Sequence, residues 1–169
     1  MTEILDDEPT YDDELVIFAE SEGMRQEAAV TEVLVALQRE ANTLLAVQLL
    51  FFGASVGHAV DLMSSSGEAV FIGGAVALVI WLGVTAGWTA RRCLYHSDWL
   101  PEGTEPFRLL HEDVNAIDMR LSQLEQVDAK IKFNKARTVK LARSLNKARE
   151  WTVLSPLGYI GGLLLGLLV

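Results

Sequence analysis

The sequence predicts an all-α integral membrane protein with three membrane-spanning helices and a layer of cytoplasmic helices. Segments without a formal charge, of 20, 22 and 19 residues, occupy 41–60, 69–90 and 151–169. About 20 apolar residues suffice for a helix to cross the hydrocarbon core. Bases flank only one side of these segments. The remaining roughly 100 residues are too few for a conventional soluble enzyme domain with its own core.

The N-terminal part is strongly acidic, with twelve acids and two bases in residues 1–40 of a chain whose net charge is −9. Residues 1–23 are predicted to form an acidic tail. From residue 24 an amphipathic entry helix is expected to run into the first span and to end near residue 62. Its apolar positions repeat with a spacing of four and three, which places them on one helix face; they are Val30, Leu34, Leu37, Ala41 and Leu44.

The distribution of arginine and lysine predicts the topology. Arg91 and Arg92 directly follow the second span, and a group of bases directly precedes the third, whereas the loop 61–68 carries none. Positively charged residues stay on the cytoplasmic side of a membrane. We therefore expect a multi-pass protein of the cell (inner or plasma) membrane, with the N-terminus and 91–150 inside and the C-terminus outside.

Residues 91–150 are predicted to be a cytoplasmic helical region. A break at 100–106 precedes a helix expected from about 105 to 150. An upright helix of that length would measure roughly 67 Å. The segment between the second span and this helix cannot extend that far from the membrane, so the helix must tilt or break. The polar positions around Asn134 interrupt its apolar stripe and are the expected place for a break.

Each apolar segment contains two glycines four residues apart, a spacing that lets a neighbouring helix approach closely. These candidate helix-packing residues are Gly53, Gly57, Gly83, Gly87, Gly162 and Gly166. The alternative is that glycine is simply common in membrane helices.

A run of eight bases without an acid ends the predicted cytoplasmic helix, and three uses remain open for it. It could attract anionic lipid, pair with the protein's own acidic entry helix, or hold a cytoplasmic protein or a phosphate-bearing ligand. Pairing through parallel helices that meet the membrane at Glu40 and Glu150 would place Glu20 near Lys130. The eight bases are Lys130, Lys132, Lys135, Arg137, Lys140, Arg143, Lys147 and Arg149.

Three polar residues in or beside the first span are candidates for a pore lining or for interhelical bonding. Gln48 lies deep in the segment, and its amide needs either a partner helix or a wet lumen. His58 and Asp61 share a face at the outer end. No catalytic arrangement, metal-ligand cluster or cofactor motif accompanies them, so we expect neither an enzyme nor a cofactor or metal.

Two functions follow as hypotheses. The first is a homo-oligomer in the lipid bilayer that forms or gates a pore or ion channel under the control of its cytoplasmic helices. The alternative is a non-catalytic membrane scaffold or accessory subunit, which would bind a partner through the acidic tail or the basic helix.

Overall fold

The computed structural model describes residues 13–65, 67–94 and 116–168, and within these ranges the chain is helical with no strand. This confirms the predicted all-α class. The acidic residues 1–12 and the predicted break at 100–106 lie outside the described residues. The helices are α1 (Asp13–Ser64), α2 (Ala69–Thr89), a π-helical turn (Ala90–Leu94), α3 (Ala116–Val153) and α4 (Ser155–Gly166).

Two of these helices are long and apolar enough to cross a membrane. They are Glu14–Ser64 within α1 and Ala69–Leu94, which joins α2 to the π-helical turn. In their most apolar windows only 11% and 28% of the residues are buried inside the chain. A core helix of a soluble protein would bury most of such a window. These apolar surfaces therefore lack cover within the single chain.

Helices α1 and α2 form an antiparallel hairpin. The turn between them is closed by the amide of Gly67, which donates to the carbonyl of Leu62 over 2.9 Å. Phe52 of α1 packs on Gly83 of α2, where an added Cβ would lie 3.3 Å from its ring.

Helix α4 packs closely against α2 in the opposite direction. A Cβ added to Gly162 would stand 2.5 Å from the carbonyl oxygen of Gly73 and 2.8 Å from the Cα of Gly74. One turn on, Gly166 faces the backbone of Val70 in the same way, at 2.8 Å. Only glycine permits backbones to approach this closely.

The third apolar segment, predicted as a span over 151–169, is not one continuous helix. Helix α3 ends at Val153, Leu154 has φ −80° and ψ 0°, and α4 begins at Ser155. Pro156 explains the interruption, because its nitrogen has no hydrogen to donate to the preceding turn. The α4 helix alone is 12 residues long, or about 18 Å.

The break expected near Asn134 is absent, because α3 runs from Ala116 to Val153 without interruption. Its sequence contains neither glycine nor proline, the residues that most often break or kink a helix. The Asn134 side chain is 5% exposed, so this polar residue is buried without interrupting the helix.

The chain divides into two compact units, residues 1–32 with 100–136 and residues 33–99 with 137–169. In the first unit, Gly23 of α1 packs on Val127 of α3. Glu20 lies 3.8 Å from Arg120, which corrects its predicted position near Lys130.

In the second unit, α1 and α3 run side by side in the same direction. Their shared core contains Leu34 and Ala41 from α1 and Leu141 and Leu145 from α3, together with Cys93. The Gln48–Thr152 hydrogen bond joins residues 104 positions apart, whereas the predicted pairing of Glu20 with Lys130 joins residues 110 apart. Arg149 nonetheless reaches Glu40, with 2.8 Å between Nη2 and Oε2.

Candidate basic site

Two tryptophans and two bases form a cluster where α2 meets the end of α3. The rings of Trp88 and Trp151 lie with centroids 5.2 Å apart. The Arg92 guanidinium stands 5.1 Å from the Trp88 centroid, and the Lys147 ammonium lies 5.7 Å and 5.6 Å from the two ring centroids. Such cation–π contacts fix the bases beside the rings. We call these four residues the tryptophan cluster.

A third tryptophan holds the end of α3 in place. The Trp81 indole Nε1 donates to the carbonyl oxygen of Trp151 over 2.9 Å. That carbonyl belongs to the last turn of α3, where the helix no longer supplies an amide partner for every oxygen. The interruption at Leu154 thus frees an acceptor, and a side chain from α2 satisfies it.

Beside the tryptophan cluster lies a cavity of about 290 Å³ between α1, the π-helical turn and α3. We call it the basic cavity. Four bases line it, Gln38 and Ser144 add neutral polar groups, and Cys93 and Leu141 form its buried wall. The four bases are Arg92, Arg137, Lys140 and Arg143.

The predicted basic run thus separates into groups with different partners. Arg149 binds Glu40 of α1 through an Nη2 to Oε2 contact of 2.8 Å, and Lys132 pairs with Asp128 on its own helix at 2.6 Å. Lys147 belongs to the tryptophan cluster. Arg137, Lys140 and Arg143 line the basic cavity, Lys135 is exposed, and Lys130 is half-buried.

Gln48 does not lie on an open face. Its side chain is 0% exposed, and its Nε2 donates to the Thr152 hydroxyl over 2.7 Å. That hydroxyl in turn donates to the carbonyl of Ala148 over 2.8 Å. The amide therefore joins α1 to α3, which is the interhelical use of this residue rather than the lumen-facing one. His58 and Asp61, by contrast, are exposed at the far end of α1.

The candidate glycines also separate. Gly162 and Gly166 make the close contact between α2 and α4, and Gly83 receives the Phe52 ring. A Cβ on any of Gly53, Gly57 and Gly87 would meet nothing within 4 Å, so these three do not pack inside the chain.

Sequence reasoning missed three glycines that take part in this packing, because none belongs to the pairs it selected. Gly73 and Gly74 face α4, and Gly158 receives the Trp81 side chain at 3.2 Å. The adjacent glycines at 73 and 74 were the signal that could have found the crossing point.

No three histidine, cysteine, aspartate or glutamate side chains come together as a metal site among residues 13–65, 67–94 and 116–168. Comparison of the chain with protein-family models, with curated proteins and with solved structures finds no match. Function must therefore be argued from the residues themselves.

Proposed function

We propose that this chain is a non-catalytic, multi-pass membrane protein that acts as a scaffold or accessory subunit, holding a basic surface at the cytoplasmic face of the membrane. The observation that supports it most is that basic and apolar residues occupy different parts of the second unit. The tryptophan cluster and the basic cavity lie at one end of α2. Apolar helices with little internal cover extend from there. Tryptophan concentrates at both interfaces of a membrane, and arginine and lysine concentrate on its cytoplasmic side.

The packing of α4 supports a third span despite the interruption at Leu154. Trp151 contacts Trp88 near the end of α2, Gly158 contacts Trp81, and Gly166 contacts Val70 near its start. The segment from Trp151 onward thus runs beside nearly the whole of α2. Because α2 has 21 residues, about 31 Å, a segment that accompanies it can cross wherever α2 crosses.

The scaffold function is favoured because three polar residues of the apolar helices are buried inside the bundle. Gln48, Thr85 and Thr89 are at most 2% exposed, and both threonine hydroxyls donate to carbonyls of their own helix. Within one chain they offer no water-filled path. The basic cavity, in contrast, presents several cations to whatever lies outside it.

A homo-oligomeric pore remains a second candidate, and one observation favours it. Gly53 and Gly57 are exposed with open space before them, and His58 and Asp61 are exposed further along the same helix. A second copy could approach this face of α1 closely. In such an assembly α1 would supply the small and polar residues that a conduit requires.

Cysteine labelling in intact cells tests the membrane topology. In a Cys93→Ala background, Ser65→Cys is expected to react with a membrane-impermeant maleimide from outside, whereas Ser122→Cys should react only after lysis. Both serines are exposed, so accessibility within the chain is matched. Labelling of Ser122→Cys alone in intact cells would invert the orientation, and recovery of the protein in the soluble fraction would refute the membrane proposal.

Reconstitution separates the scaffold from the pore. Liposomes containing the purified protein should show no ion flux if the scaffold proposal holds, and flux without a partner would favour the pore. Gly57→Leu and Gly161→Leu form a matched pair, since a Cβ at either position meets nothing within 4 Å. The pore proposal predicts that only Gly57→Leu reduces the oligomer mass measured by mass photometry. Equal masses for both variants and the native chain would exclude this face of α1 as the interface.

A further inference from the structure

We propose that the basic cavity binds the phosphate of an anionic phospholipid headgroup. This deepens the proposed function and rests on it, because it names the chemistry that the basic surface recognises. The cavity, rather than the whole basic helix, is the binding element.

The charges of the cavity fit a phosphate group. Among the described residues, its lining includes Arg92 from the π-helical turn and Arg137, Lys140 and Arg143 from α3, and no carboxylate. Arginine presents a planar fork of donors that matches phosphate oxygens, and lysine adds a compact positive charge. Gln38 and Ser144 supply neutral hydrogen-bond donors from two helices. Cations from separate elements can therefore converge on one anion.

The depth of the cavity fits a lipid headgroup. Arg92 lines it and also lies over the Trp88 ring, so the cavity begins at the tryptophan cluster. Arg143 precedes Trp151 by two turns of α3, about 12 Å along the helix. Tryptophan side chains settle at the headgroup level of a bilayer. Arg92, which lies over the Trp88 ring, is therefore at the level of the lipid phosphates, and Arg143 lies about 12 Å farther along α3 from the membrane.

The size and the wall of the cavity favour a headgroup over a nucleotide or a nucleic acid. At about 290 Å³ the cavity is just below the roughly 300–1,000 Å³ that enclose a drug-sized ligand. None of the described residues that line it is aromatic, so these residues offer no ring on which a base could stack. Its buried wall of Cys93 and Leu141 suits the apolar part of a lipid instead.

Native mass spectrometry of the full-length, detergent-solubilised protein tests the proposal. The protein is titrated with equal amounts of dihexanoyl phosphatidylglycerol and dihexanoyl phosphatidylcholine, which share a phosphate but differ in net charge. We expect one phosphatidylglycerol to bind at least tenfold more tightly than phosphatidylcholine. Inorganic phosphate and a 20-nucleotide single strand serve as competitors at the same concentration.

Two double variants of α3 remove the same number of charges. Lys140→Gln with Arg143→Gln changes the cavity, and Lys132→Gln with Lys135→Gln changes bases outside it. Each base near an anionic lipid surface contributes a factor of roughly five, so the cavity variant should bind phosphatidylglycerol about 25-fold more weakly. The control should change affinity less than threefold. Should the double cavity variant unfold, the exposed Lys140→Gln alone should weaken binding about fivefold.

Equal loss in both double variants would overturn the proposal, because it would mean diffuse attraction to the helix. Equal binding of the two lipids would also overturn it. Competition by inorganic phosphate as strong as by phosphatidylglycerol would assign the cavity to free phosphate, and stronger binding of the oligonucleotide would assign it to nucleic acid. Because the lipids used are soluble, binding can succeed even if the labelling experiment refutes the membrane location. The two failures are thus distinguishable.

Discussion

Replacing Gly162 by alanine adds one methyl group at the closest approach between α2 and α4. That methyl would stand 2.5 Å from the Gly73 carbonyl oxygen, 2.6 Å from the Ala77 Cβ and 2.8 Å from the Gly74 Cα. Two of these three atoms belong to the backbone, so no side chain can turn away to make room. The helices must separate, and the neighbouring contact of Gly166 with α2 loosens with them.

The adjacent Gly161 provides the control, since a Cβ there meets nothing within 4 Å. Alanine favours a helix over glycine by about 1 kcal/mol, and this gain applies equally to Gly161→Ala and Gly162→Ala. Overpacking costs about 1–3 kcal/mol, and a clash with backbone lies near the upper limit. We expect Gly161→Ala to be neutral or slightly stabilising and Gly162→Ala to be less stable than it by about 2–3 kcal/mol.

The free energy of unfolding can be measured in mixed micelles from the fluorescence of the tryptophans. Gly162→Ala should lower the midpoint of unfolding by sodium dodecyl sulfate, and Gly161→Ala should not. A difference between the two variants below about 0.5 kcal/mol would refute the close packing of α4 on α2, since ordinary surface substitutions vary by that much.

Two further predictions concern contacts between α1 and α3. Gln48→Leu should change the free energy of unfolding by less than about 0.6 kcal/mol, because the Thr152 hydroxyl keeps its bond to a carbonyl and the buried Oε1 of Gln48 accepts no hydrogen bond. Thr152→Val should cost about 1–2 kcal/mol, because it strands the buried amide; equal costs for the two would contradict this asymmetry. Glu40→Arg and Arg149→Glu should each destabilise the fold by at most about 0.5 kcal/mol, since both side chains are about half exposed. The double reversal should restore stability at low salt, and an absence of coupling there would mean that the ion pair contributes nothing.

The helical class and the apolar segments could be predicted because their signals are local. The composition of a run such as 69–90 is enough to predict a helix there. The end of a helix is nearly as local: Pro156 stands in the sequence, and its missing donor accounts for the interruption at Leu154. The uncharged length of 151–169 alone does not reveal this interruption.

The parallel pairing of α1 with α3 was one of the alternatives that the sequence offered, but the individual contacts between helices could not be predicted, because they depend on how side chains from distant segments fit. Gln48 and Thr152 are 104 positions apart, and no periodicity connects them. Likewise, the glycine spacing of Gly53 and Gly57 equals that of Gly162 and Gly166, yet only the latter pair packs inside the chain. Spacing identifies a face that can be approached closely. Which helix approaches it depends on the shape of the whole bundle.

The attachment of α3 to α2 has a mechanical consequence. From Arg137 to Val153 the helix has no internal joint, and its last turn is fastened to α2 by the Trp81 hydrogen bond and the paired rings. A displacement of α3 at Arg143 and Lys140, which line the cavity, is therefore transmitted along a rigid helix. The displacement would be resisted by the tryptophan contacts with α2, and it would stop at Leu154, where the helical hydrogen bonding is interrupted. Leu154 is thus the residue at which the chain leaves the axis of α3, and from there α4 follows α2.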